Sequence, residues 1–385
     1  MKAMANDRFT FKKEGWISEE LERRKQLFTD LFDGKPLTHI PIEIKITRPQ
    51  YPMRDYYDSR DKQLEDSMNA ARMTWALKEK NDMIPALSPD IGCSGLATAF
   101  GGEYFFGDNE MQTAGIKYPP VTEPEKQIPG IETPDLMDSK WLREGVERVR
   151  AFAEAGDGLL PVNGLDIAGG LNVVSDLIGL QDMLMRMVTS PELIHQLLKL
   201  VQQAYLDLIA METEAAGGLD NFATIDFFFG WCPPGFKGHC SDDISAMIRP
   251  KMYDEFSGPY HAMIYEKYGC GGLHNCGPNP CQESYVSQKL SPIYLDLAER
   301  FSQQDLPKMK HSLKKKAFIR WCSEMTDTKE IVECYRQNME LLAPDVILVP
   351  IYTLDSVEQG EELYDALYPI SVEYARRMDF GFDLR

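Results

Sequence analysis

Gly271-Gly272-Leu273-His274-Asn275-Cys276-Gly277-Pro278-Asn279-Pro280-Cys281 puts an imidazole and two thiols close together in the chain. The stretch reads as a short strand, about 271–276, that stops in a glycine-proline turn. Residues two apart share a strand face, so His274 and Cys276 point to the same side. Imidazole nitrogen and thiolate sulfur suit a soft metal such as Zn²⁺. The same residues also fit a tight loop after a buried strand, with the cysteines acting as small hydrophobes. His-x-Cys is half a metal site, so the remaining ligands must come from other parts of the chain.

Working outward, this strand is one of a series. Upstream, an amphipathic helix is predicted over 243–268, a Gly- and Pro-rich loop over 230–238, and an apolar strand over Phe222–Phe229 that carries one acid, Asp226. Before these come helices at 190–215 and 172–188, a loop at 164–170, a strand at Leu159–Asn163 and a helix from Ser139 to Ala155. Earlier still are the strand Met83–Leu87, a polar-rich helix at 61–80 and the alternating strand Ile40–Ile46. A helix at 14–34 opens the chain. Downstream, a helix at 281–290 leads to strands at Pro292–Leu297, Ala317–Cys322 and Val346–Tyr352, with helices at 327–342 and 356–377. Strand–helix alternation calls for parallel strands with helices outside. The expectation is an α/β fold, a single (β/α)8 TIM barrel over residues 1–385 with residues 1–38 as an N-terminal helical extension. An open doubly wound sheet is the competing architecture, but no G-x-G-x-x-G opens a helix after the first strand.

Composition narrows the function classes. The net charge is −19 over 385 residues, with no basic excess to release counterions from a nucleic acid. Mean hydropathy is −0.34, and no apolar run reaches membrane-spanning length. Met1 to Lys13 lacks the apolar core of a secretory signal. The cytoplasm is the expected compartment, with no nucleic-acid or membrane partner. Eight cysteines in a chain of this length are too sparse for a disulfide scaffold, so they are expected as thiols, buried or metal-bound.

In a barrel, chemistry sits at the C-terminal ends of the strands. Those ends supply Asp90 and Cys93, Asn163 and Asp166, Asp226 and Cys232, His274 and Cys276, Asp296 and Glu299, Cys322 and Glu324, and Tyr352. Catalytic zinc takes three protein ligands and keeps one position open. Cys322, which ends a neighbouring strand, is the first choice to join His274 and Cys276. Cys281 and Cys232 are alternatives, and Glu324 or Asp226 can fill a fourth position. Asp226, Asp90 and Tyr352 are the catalytic candidates. Asp226 sits in a very apolar run, where an acid has to be paired or protonated. The aromatics Phe227, Phe228, Phe229, Trp231, Phe236 and Tyr352 either line a pocket for a flat ligand or simply fill the barrel.

These residues resemble the uroporphyrinogen decarboxylase superfamily, including its cobamide-dependent methyltransferase branch. The resemblance runs over about 150–375. It is carried by Ile225-Asp226, the Pro250-containing helix, Leu273-His274-Asn275-Cys276-Gly277 as a His-x-Cys-Gly turn, and Ile293-Tyr294-Leu295-Asp296. It implies a (β/α)8 barrel. From the methyltransferase branch it implies zinc at that turn, a small-molecule methyl donor or acceptor, and a corrinoid on a partner protein. The decarboxylase branch instead implies a lyase acting on a tetrapyrrole, held by an Arg-rich segment that Arg48 and Arg54 do not reproduce. A non-catalytic corrinoid- or tetrapyrrole-binding protein is the third option. The methyltransferases carry a third ligand, a Cys, at the end of the last strand. Here that region is Leu348-Val349-Pro350-Ile351-Tyr352-Thr353-Leu354, so another thiol substitutes or the metal is lost.

Overall fold

The computed structural model describes residues 15–106, 114–226 and 230–381. Six strands form one parallel sheet: β1 (Glu43–Ile46), β4 (His239–Ser241), β5 (Gly272–Asn275), β6 (Tyr294–Ala298), β7 (Phe318–Ser323) and β8 (Leu348–Leu354). Their order is β1-β8-β7-β6-β5-β4. A separate antiparallel pair, β2 (Tyr104–Phe105) and β3 (Gly115–Ile116), belongs to the long excursion before residue 130.

The expectation of eight barrel strands is met in part. Among the described residues no ladder joins β1 to β4 on the far side of the sheet. Three predicted strands occur there as extended segments tied by isolated parallel bridges, Leu87 to Val162 and Val162 to Phe222. Single backbone bonds add to them: Asp82 N–H to Ile42 O, Leu87 N–H to Pro161 O, and Ile225 N–H to Lys237 O. Prolines explain the interruption. Pro85 and Pro161 have no N–H to give a ladder.

The helices surround the sheet but break more often than their periodicity suggests. The predicted 243–268 helix is a turn of 3-10 helix at Asp243–Met247, then Pro250–Phe256, then Gly258–Tyr268. Pro250 and Pro259 each start a new helix, where a missing N–H costs nothing. The 172–188 helix divides at Gly179, whose φ is +85°. The predicted 281–290 helix is only Gln282–Tyr285. Short β4, in the gap between the predicted loop at 230–238 and the predicted helix at 243–268, is absent from the sequence reading.

The N-terminal helix, Gly15–Phe32, is packed rather than peripheral. Ile17, Leu21, Phe28, Leu31 and Phe32 are buried. The Phe32 ring lies 5.3 Å from Phe236, 5.9 Å from Tyr294 and 5.3 Å from Phe318. Tyr294 and Phe318 are the first residues of β6 and β7, so this helix plugs the N-terminal end of the strands. The C-terminal end is left for chemistry. Residues 1–14 of the predicted extension, and Phe227, Phe228 and Phe229, lie outside the described residues. No described helix is long and apolar enough to cross a membrane.

Candidate metal centre

Register delivers the site. Ser241 pairs with His274, His274 with Asp296, and Asp296 with Arg320, so β4, β5, β6 and β7 present one row across the sheet. The chain just past β4 supplies Asp243, and the turn after β5 supplies Cys276. Together with His274 they form the one group of potential metal donors found among the described residues, with donor atoms all within 4.8 Å of one another. Nε2 of His274 lies 3.3 Å from Sγ of Cys276 and 3.7 Å from Oδ1 of Asp243. Around a tetrahedral zinc, the usual bond lengths separate two donors by about 3.5 Å, so the spacing suits one ion. The Cys276 N–H donates to Oδ1 of Asp243 at 3.0 Å, which ties the two loops together.

Behind the donors stands Asp296, which is 5% exposed. Its Oδ2 lies 2.8 Å from Nδ1 of His274. That bond places a proton on Nδ1 and turns Nε2 towards Cys276 and Asp243, the usual arrangement of a metal-binding histidine. Burial pushes the Asp296 carboxyl up, but the facing His274 outweighs it and the group is held below its ordinary range. Burial pulls His274 down, yet Asp296, Cys276 and Asp243 together raise it well above the usual imidazole value. A second proton on Nε2 thus occupies the position a cation would take, and proton and metal compete for it.

The turn is held from below. Nδ2 of Asn275 reaches Pro278 O at 3.2 Å and the Tyr285 hydroxyl at 3.0 Å, while its Oδ1 accepts from Gly277 N–H at 2.8 Å. The Tyr285 hydroxyl also meets Ser245 Oγ at 2.8 Å. The Ser245 N–H donates to Oδ1 of Asp242 at 3.2 Å. One buried network therefore supports both loops that carry donors.

The other candidates fall in several places. Cys322 donates its thiol to Oδ1 of Asp296 at 3.2 Å, one carboxylate behind the donor group. It also walls a cavity of about 410 Å³ with Ala298, Ile351 and Thr353. Ile351 and Thr353 occupy that face of β8, so the Tyr352 side chain projects from the other face. Cys232 is buried against the Tyr294 hydroxyl at 3.4 Å, and Cys281 against the carbonyls of Ser245 and Ile248. Glu324 is exposed at the rim. Asp226 is fully buried and accepts from the Tyr205 hydroxyl at 2.9 Å and from Ile167 N–H at 3.4 Å. Asp90 accepts from Gly92 N–H at 2.6 Å and the Tyr57 hydroxyl at 3.1 Å. Burial raises its carboxyl above the ordinary value.

One member of the donor group, Asp243, escapes the sequence reading. Asp243 does so because β4 is only three residues long and falls in the unassigned gap between the predicted loop, 230–238, and the predicted helix, 243–268. Recognising Ser241-Asp242-Asp243 as a strand end is the signal that would find it. Asp166, a strand-end candidate without an assigned role, has its carboxyl pushed well up by burial and then by Asp226 and Asp90. Its loop sits hard on the strand ends: a Cβ on Gly164 would lie 2.1 Å from Ile225 O, and one on Gly169 would lie 1.9 Å from Ser241 O. Only glycine permits that seating.

No family model matches the sequence, and no curated protein matches it. Among solved structures, the fold is similar to that of a methyltransferase from Methanosarcina mazei, with a TM-score of 0.65 and 16% sequence identity. The match covers 89% of this chain and 96% of that one. At that identity, what the two chains share is the arrangement of strands and helices.

Proposed function

We propose that this chain is a methyltransferase that holds zinc on His274, Cys276 and Asp243 and moves a methyl group between a small thiol and a corrinoid carried by a partner protein. On this reading the extended segments between β1 and β4 complete a (β/α)8 barrel of the uroporphyrinogen decarboxylase type, working in the cytoplasm. The observation that carries it is the orientation of His274, with Nδ1 bonded to Asp296 and Nε2 turned to a thiol and a carboxylate. The likeness in fold to a methyltransferase adds support.

Zinc would supply one thing, a sulfur kept as thiolate at neutral pH. The chain's own residues do the rest. Asp296 fixes the imidazole, and Asp243 holds the Cys276 backbone while offering its carboxylate as third donor. A corrinoid on the partner would supply or accept the methyl group, and a thiol that took it would give up its proton to solvent as the zinc held its sulfur as thiolate. Asp243 fills the role left open by the cysteine-free last strand. The tetrapyrrole lyase reading needs arginines in the mouth. Arg300 lines the cavity beside Cys322 but faces Glu324, Arg320 is fully buried with a guanidinium N–H on Trp231 O, and Arg148 donates to backbone carbonyls of Asp90 and Tyr57. No specific observation favours that reading.

Elemental analysis of purified protein tests the proposal. The expected result is about one zinc per chain, lost in His274→Ala and in Cys276→Ser. Methylcobalamin plus a thiol should yield the cob(I)alamin absorption with the parent protein only. Metal content unchanged by both substitutions would overturn the ligand assignment.

A further inference from the structure

We infer that Asn172 restricts Asp243 to binding the metal through a single oxygen, and so keeps one position at the metal open for the substrate sulfur. This rests on the methyl-transfer reading and adds a positioning residue to it. Asn172 lies in the first turn of the helix Gly170–Ile178, between the buried Leu171 and Val173. The start of that helix is pressed against the end of β4, where a Cβ on Gly169 would lie 1.9 Å from Ser241 O. From there the side-chain amide takes hold of two consecutive residues. Its Nδ2 donates to Oδ2 of Asp243 at 3.3 Å, and its Oδ1 accepts from Ile244 N–H at 3.2 Å. The two bonds fix which end of the amide faces the carboxylate, since a flipped amide would set oxygen against oxygen and N–H against N–H.

Asp243 is thereby held at both oxygens. Oδ1 accepts from Cys276 N–H at 3.0 Å and is the oxygen that lies 3.7 Å from Nε2 of His274. Oδ2 is tied to Asn172. Pinned at both ends, the carboxylate does not turn to bring both oxygens to one ion. A carboxylate oxygen has two acceptor sites, so Oδ1 keeps one for a cation after serving Cys276. His274, Cys276 and Asp243 then offer one donor atom each, and a four-coordinate metal has a position left. Without the amide, Oδ2 is free to swing in as a further donor and close that position. The task needs a donor and an acceptor on one short planar group. An aspartate at 172 would repel Asp243, and an apolar side chain would offer neither bond.

Loading the chain with Co²⁺ in place of zinc tests this through two affinities. Competition with a chromophoric chelator reads the metal, and the thiolate-to-cobalt absorption that grows as 2-mercaptoethanol is added reads the open position. Asn172→Ala should hold Co²⁺ as tightly as the parent or more tightly, yet bind 2-mercaptoethanol about tenfold more weakly. Alanine suits a helix, and Asn172→Leu repeats the test at closer volume. Asp243→Asn has only one side-chain oxygen at that position, so adding Asn172→Ala to it, at saturating Co²⁺, should leave 2-mercaptoethanol binding as in Asp243→Asn alone. A role limited to holding the loop would instead lower the urea midpoint and the Co²⁺ affinity together. That outcome, or parent-like binding of 2-mercaptoethanol by both Asn172 variants, overturns the inference. Failure of the metal reading looks different: the His274→Ala chain then matches the parent in Co²⁺ affinity, whatever stands at 172.

Discussion

Asp296 is the residue on which the site turns. Without its carboxylate, His274 has no fixed tautomer and no reason to aim Nε2 at Cys276. Asp296→Asn keeps the shape and one hydrogen bond but loses the charge that raises the basicity of the imidazole. Zinc affinity should fall roughly 10- to 100-fold, as read by competition with a chromophoric chelator, while the denaturation midpoint moves little. An unchanged affinity would show that the imidazole is oriented by something else. At this scale the sequence is informative in an uneven way. His274 and Cys276 are legible because strand alternation alone puts them on one face. Asp296 is legible as a strand-end acid, though its partner is not. Asp243 is hidden because its placement depends on a three-residue strand that carries no period of its own.

Elements explain why the donors stay where they are. The turn after β5 and the loop after β4 share the Asn275–Tyr285–Ser245 network, and Tyr285 is fully buried at its centre. Tyr285→Phe removes the hydroxyl that joins the two loops and leaves Asn275 and Ser245 each short of one bond. A loss of about 1–3 kcal/mol in stability follows from unmaking buried hydrogen bonds, and zinc affinity should fall with it. Chelator competition and urea denaturation on the same sample read both. Stability lost with metal affinity intact would mean that the loops keep their geometry independently. The long strands β7 and β8 are legible from their apolar runs, and the helix from Thr328 to Leu342 from its Asp327 cap, which accepts from Lys329 and Glu330 N–H. The broken strands and helices are less so. Pro85, Pro161, Pro250, Pro259 and Gly179 cut patterns whose hydrophobic period runs straight through them. The period reports which face is buried, and the backbone hydrogen bond reports where the element ends.

For the whole molecule, the polar interior makes stability depend on pH. Glu43 on β1 and Arg320 on β7 are both fully buried, with Oε2 and Nε 3.8 Å apart. Burial pushes the Glu43 carboxyl up to about 7, against the pull of Arg320. In the unfolded chain the group ionises near 4.5. Between those values the folded state keeps a proton that the unfolded state has lost, so stability falls as pH rises. The contribution is complete below 4.5 and lost as pH passes about 7, with a slope approaching 1.4 kcal/mol per pH unit. Asp242, raised to about 6 by burial, acts in the same sense over a lower range. Glu43→Gln should flatten the profile between pH 6 and about 7; urea midpoints across that range measure it. An unaltered slope would show that Glu43 ionises normally inside the fold.

The pairing of β1 with β8 carries a consequence for how the chain is made. Glu43 sits opposite Ile351 and Ile46 opposite Leu354, so neighbours in the sheet are separated by nearly the whole described chain. A ribosome has to deliver residues up to about Leu354 before β1 gains its companion on that side. Until then the first strand is an unsatisfied edge and the nascent chain a client for chaperones. Sheet completion is thus a late event that depends on long-range closure, and topology of this kind folds slowly.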